Sequence, residues 1–244
     1  MSVRTGAARL APRLTRGLCI AFVGALLAAC GGAPAPQAPG TEAPRGELAR
    51  PAADAVRHVV SAEASEIRFI VRRAGTLARL GHNHVIVARG LAGDIALAPE
   101  LRRSTVSLRL PVAQFEVDPP AVRAELGEDF APLPAQAVLA TRRNMLGARV
   151  LDAVNHAQVR IDTVAVAGTA EALQLTLRIT LRGVSRDVVL PVSLARAGDT
   201  LVARAQFEIR QSDFGLTPLS VLGGALQVAD EIAVRLRIEA RAGL

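Results

Sequence analysis

One stretch leaves little freedom in what this chain can fold into: residues 172–194, ALQLTLRITLRGVSRDVVLPVSL. Leu173, Leu175, Leu177, Ile179 and Leu181 alternate without a break with Gln174, Thr176, Arg178, Thr180 and Arg182. Extended backbone sends successive side chains to opposite faces, so this is a ribbon with one apolar and one polar, arginine-bearing face. Helical spacing would spread the same leucines around the whole circumference. Gly183 to Asp187 reads as a turn. Val188, Leu190, Val192 and Leu194 then resume the period of two, which predicts a β-hairpin.

The same period recurs along the chain. Ile67, Phe69 and Val71 predict a first strand, and residues 85–97 a second, broken near Gly90 and Gly93. Glycines inside strands mark bulges or bends that let a sheet curl. Val106, Leu108, Leu110 and Val112 predict a third, running past Pro111 toward Val117. Residues 137–142 and 158–166 read as further strands, followed by the hairpin and by strands at 201–209 and 232–238. Asp118-Pro119-Pro120 looks like a helix start, with Asp118 capping one short helix over residues 121–130 that Pro132 and Pro134 stop. About eight antiparallel strands, each with one apolar face, must close on themselves or pack as two layers. A closed barrel of that size can be filled by side chains or hold a small ligand. A sandwich satisfies the same pattern.

The first 29 residues have the three parts of an export signal: Arg4, Arg9, Arg13 and Arg16, the apolar run LCIAFVGALL at 18–27, then small residues before Cys30. The run is too short to span a bilayer as a helix, which takes about 20 residues. Leu27-Ala28-Ala29-Cys30 resembles the lipobox of bacterial lipoproteins, which implies cleavage before Cys30 and its acylation. An ordinary secretory signal cut near Ala29 is the alternative. Cys19 lies inside the leader, so Cys30 is left as the one cysteine of the exported chain and has no internal disulfide partner. Residues 30–57 turn to Gly, Ala and Pro, a composition too poor in apolar surface to fold and kept extended by its prolines. They read as a tether, with residues 58–244 as the folded domain. The expected place is the cell envelope, on a bacterial membrane and facing the periplasm.

Charge does not point to nucleic acid. The formal charge is +7, and removing the four leader arginines leaves +3. There is no Trp or Tyr to give the stacking platforms that single-strand binding uses. No nucleophile-elbow context surrounds Ser185 or Ser220, and no glycine-rich loop precedes a helix, so the chain reads as a binding protein rather than an enzyme.

Several segments together resemble the YceI-like family of bacterial exported proteins: EIRFIVRRAGTLARLGHNHVI followed by GLAGDIAL, the Asp129-Phe130 pair, LTLRITLRGVSRDVVLPVSL, and FEIRQSDFGL followed by VADEIAVRLRIEA. The resemblance covers residues 60–242. It implies an all-β, lipocalin-like antiparallel β-barrel with one short helix, whose apolar interior holds a polyisoprenoid lipid such as an isoprenoid quinone or polyprenyl phosphate. Leu133-Pro134-Ala135 stands where the family has Tyr-Pro before this point, and the lining is Phe, Leu, Val and Ala rather than rich in aromatics. Each buried methylene contributes about 0.8 kcal/mol, so one five-carbon prenyl unit gives about 4 kcal/mol before ordering costs. A solid barrel acting as a protein-interaction or stress module of the envelope is the alternative.

The candidate ligand-binding residues are Phe69, Val71, His82, His84, Leu108, Leu110, Phe130, Leu175, Leu177, Phe207 and Phe214. His82 and His84 point to the same side if extended, and are expected near the barrel opening or in a packed turn. A zinc site would need a third ligand, for which only His58, His156 and scattered acids remain, so no metal is expected. No cofactor is expected beyond a bound isoprenoid lipid. The partners expected are that lipid and, through acylated Cys30, a membrane.

Overall fold

The alternation along residues 158–210 becomes a four-strand meander. It comprises β7 (Gln158–Ala167), β8 (Leu173–Leu181), β9 (Val184–Ala197) and β10 (Thr200–Arg210), each antiparallel to the next. The structure is a computed structural model and describes residues 46–243. Leu173, Leu175, Leu177 and Ile179 are buried on the inner face of β8, while Gln174 is exposed. The β8–β9 turn is tighter than the sequence suggests. Arg182 and Gly183 both have positive φ (50° and 77°), as the two central residues of a primed turn do, so residues 184–187 already belong to β9.

The first three strands of the sheet are each broken in two. β1 (Val56–Val60) and β2 (Glu66–Ala74) are separated by a turn whose Ser65 hydroxyl accepts the Glu239 N–H at 2.9 Å and reaches the Glu239 carbonyl at 3.2 Å. β3 (His84–Ala88) and β4 (Ala92–Leu97) part at Gly90, as the glycines suggested. β5 (Thr105–Pro111) and β6 (Glu116–Val117) part at a 3₁₀ turn over Val112–Gln114. The last long strand, β12 (Leu226–Ala242), pairs with β10 along one edge and with β2 and β1 along the other. A two-residue strand, β11 (Ser220–Val221), also pairs with β12. With each broken pair counted as one position, the ring is a closed antiparallel barrel of eight strands rather than two open layers.

Several expectations are corrected. Residues 137–142, read as a strand, lie within a helix, α2 (Ala135–Leu146), which starts just after Pro134. Ala, Leu, Arg and Met favour a helix there, and no barrel position is left for a strand. The helix expected over residues 121–130 is only α1 (Pro120–Glu125), followed at Gly127 (φ 84°) by a 3₁₀ turn over Glu128–Phe130. Asp118 does not cap it; Pro119 is the N-cap, without a side-chain bond. Part of the stretch read as tether also lies on the barrel. Ala49 N donates to Thr163 O at 2.9 Å, and Arg178 reaches Gly46 O at 2.8 Å.

The main core fills the barrel interior, with Leu201 and Ala240 at 0% and Leu190 at 1% exposure. A second, smaller cluster sits on the outer face of β2 and β3, where Ile70, Val85 and Val87 pack against Val122 and Phe130.

Candidate binding cavity

The barrel interior is not filled uniformly. The half around Leu173, Leu190, Leu201 and Ala240 is packed solid. The other half encloses an apolar cavity of about 220 Å³. Strand alternation builds its walls: Ile67, Phe69 and Val71 from β2, His84 and Ile86 from β3, Val159 and Ile161 from β7, and Val234 and Leu236 from β12. Phe69 stacks on Phe115 with ring centroids 5.8 Å apart, closing one side. Thr141, Asn144 and Met145 of α2, with Phe214, Leu216 and Leu219 of the loop after β10, line the mouth. No residue of α2 is fully buried, so the helix lies over the opening rather than in the core.

Of the sequence candidates, Phe69, Val71, His84, Leu110, Phe207 and Phe214 come together around this cavity. Leu108, Leu175 and Leu177 are buried in the same core but away from the void. Phe130 is outside the barrel wall, 3% exposed in the second cluster, because the chain after β6 crosses to the outer face. His82 is exposed, two residues before β3 begins and turns His84 inward. Cys30 lies outside the described residues. Met145, Leu151, Leu181, Val228 and Ile232 also line the cavity and escaped sequence reading. The Leu181 and Ile232 positions follow from strand alternation, whereas Met145 was lost with the helix.

One polar assembly reaches this apolar space. His84 stands on β3 directly opposite Val71, which fixes its ring on the inner face. Its Nδ1 lies 2.6 Å from Asp118 Oδ2, and a carboxylate can only accept, so Nδ1 donates. Asp118 Oδ1 accepts the Val85 N–H at 3.0 Å and the Arg123 Nη1 at 2.6 Å. Arg123, 3% exposed, also donates to the carbonyls of Asn83 at 2.8 Å and Ala131 at 3.0 Å, and its guanidinium lies 5.6 Å from the Phe130 ring centroid. Burial alone pushes the Asp118 pKa up. Hydrogen bonds from His84, the Val85 amide and Arg123 outweigh it and hold the carboxyl below its ordinary range. Asn83 is a buried pin. It accepts from Arg73 N at 3.0 Å and donates to Asp129 O at 3.2 Å.

Of the other histidines, His58 is wholly buried, bonded through Nδ1 to Val56 O at 3.0 Å with Nε2 unpartnered. Among the described residues no cluster of three His, Cys, Asp or Glu could hold a metal. A larger depression of about 840 Å³ lies on the outer wall, where Arg68, Arg204, Arg235 and Arg237 surround Glu66. It is open to solvent and rimmed by charged side chains, so it excludes little water from a ligand. The enclosed interior is the stronger site for an apolar molecule.

Residues 58–240 match the YceI-like domain. Among solved structures, that of BcnA from Burkholderia cenocepacia superposes with a TM-score of 0.57 at 17% identity, covering 74% of this chain and 99% of that one. A polyisoprenoid-binding domain from Saccharophagus degradans, implicated in plant cell wall breakdown, superposes with a TM-score of 0.53 at 13% identity, covering 81% of this chain and 100% of that one. At such identities the likeness is one of fold. No curated protein matches the chain.

Proposed function

The chain belongs to the YceI-like family, and from that premise we propose that it is an exported, lipid-anchored binding protein that holds or carries a polyisoprenoid lipid in its barrel. The observation that carries this reading is the apolar cavity in the mouth half of the barrel, walled by side chains of β2, β3, β5, β7, β8, β10 and β12 and roofed by α2. The Saccharophagus degradans domain that shares the fold is described as polyisoprenoid-binding. A dry apolar void is stable only if its walls cannot collapse, and an apolar guest recovers the contacts those walls lack.

Size limits what enters. An apolar cavity of about 150 Å³ takes benzene, so about 220 Å³ seats roughly nine carbons, close to two prenyl units. Two units give about 8 kcal/mol of burial before association costs. A longer tail would leave through the mouth past α2 or widen the void by shifting side chains. The leader, the Leu27-Ala28-Ala29-Cys30 sequence and the Pro-rich stretch support delivery to the envelope with the barrel held near a membrane.

The test is organic extraction of the purified full-length protein followed by mass spectrometry, with uptake of added prenylated quinone as a second arm. A prenyl lipid in the extract, or saturable uptake, is the expected result. Repeated absence of both would leave the interaction-module reading in its place. Cys30→Ala is expected to move the protein from the membrane fraction to the soluble fraction; unchanged membrane association would remove the lipid anchor from the proposal.

A further inference from the structure

The cavity is apolar except at a few atoms, and at His84 the hydrogen-bonding sense is set by its partner. His84 gives its Nδ1 proton to Asp118. The Asp118 charge is already balanced by Arg123 at 2.6 Å, and both partners are buried, with side-chain exposures of 0% and 4%. In its neutral form an imidazole held this way carries a lone pair on Nε2, and the His84 ring makes no second hydrogen bond among the described residues. Gln211, 7% exposed, also lines the cavity. Its amide nitrogen faces the Ala229 carbonyl at 2.8 Å, which must be an N–H donor contact and leaves Oε1 as an acceptor. His84 Nε2 is therefore an acceptor on the cavity wall, while Gln211 keeps Oε1 as an acceptor and one amide N–H as a donor.

We propose that His84, held by Asp118 and Arg123, is the polar anchor of the site and accepts a hydrogen bond from a hydroxyl on the head of the prenylated ligand, with Gln211 as a second acceptor. The matching head is a phenol, a hydroquinone or a prenyl alcohol. A quinone carbonyl or an ether oxygen brings only lone pairs and gains nothing from the His84 lone pair. At His84 the site thus favours a head that carries a donor over the same head without one. Among the described residues His84 belongs to no group of three His, Cys, Asp or Glu that could hold a metal. The proposal rests on the reading that the cavity binds a prenyl lipid, and its test separates the two.

The probes are a geranylgeranyl-substituted phenol and its O-methyl ether, which share the tail and differ in the one donor. Binding to the full-length protein is measured by competition with a fluorescent apolar probe. One hydrogen bond predicts that the phenol binds about five- to tenfold tighter than the ether. In His84→Phe that preference falls to about one while the ether still binds. Nitrogen-15 NMR of the histidine rings gives a readout that does not depend on a variant folding. In the wild-type protein His84 Nε2 is expected to be unprotonated and to shift on adding the phenol but not the ether. Equal affinity for phenol and ether, or an imidazole protonated on both nitrogens, overturns the anchor and leaves lipid binding standing. Failure of both probes to bind overturns the lipid reading itself, and the anchor with it.

Discussion

At the scale of single residues, Asp118 shows how far local reading reaches. An acid before two prolines has the appearance of a helix cap, and nothing nearby in sequence says otherwise. In the fold it stands in left-handed backbone (φ 54°) and turns its carboxylate back to β3, to partners 33 and 34 residues earlier. His84 was visible as a candidate, but its role depends on this distant carboxylate. Asp118→Asn keeps the size and removes the charge, leaving Arg123 buried without its counter-ion. The expected cost is about 3–5 kcal/mol in urea-induced unfolding; a loss within error of zero would show the pair to be dispensable. The Asp118 pKa is lower in the fold than its ordinary value of 3.8. Its ionised form therefore adds stability that is fully present above that value and is lost as pH falls through the folded pKa. An acid titration of stability should show this extra fall below pH 3.8 in the wild type and lack it in Asp118→Asn.

At the scale of elements, alternation was the dependable signal and its interruptions were informative. The break near Gly90 and Gly93 was legible because those glycines interrupt an otherwise apolar run. What demands Gly93 was not legible. Its φ is 151°, and a Cβ there would lie 2.0 Å from the Ser107 carbonyl oxygen of β5. Gly93→Ala is expected to push β4 from β5 and cost roughly 2 kcal/mol or more, read as a lowered urea midpoint. An unchanged midpoint would mean that the two strands can part freely. Helix α2 was misread because six residues of Ala, Val, Leu, Thr and Arg are too few to separate the two periods. Its apolar side chains are also only partly buried, so no strong apolar stripe marks it. β1 was hidden for a related reason: Val56 to Val60 adjoins a Pro- and Ala-rich stretch whose composition dominates the reading.

At the scale of the molecule, the barrel has two unlike halves, and substitutions should separate them. Leu201 is wholly buried in the packed half. Leu201→Ala there is expected to cost about 2–5 kcal/mol by leaving a new cavity, with prenyl-lipid uptake unchanged. Val71 already borders a void, so Val71→Ala is expected to cost less and to alter the uptake of bulkier probes. Paired urea melts and uptake measurements check both, and equal effects at the two positions would contradict the division. By itself the sequence determined which side chains face oil and which face water along each strand, because strand geometry sets that within a few residues. It also carried the family's motifs. Whether the apolar faces met as layers or as a ring, how much space remained between them and which carboxylate met His84 were decided only by the tertiary structure. Each depends on contacts between residues far apart in the chain, and periodicity within a single strand contains no term for them.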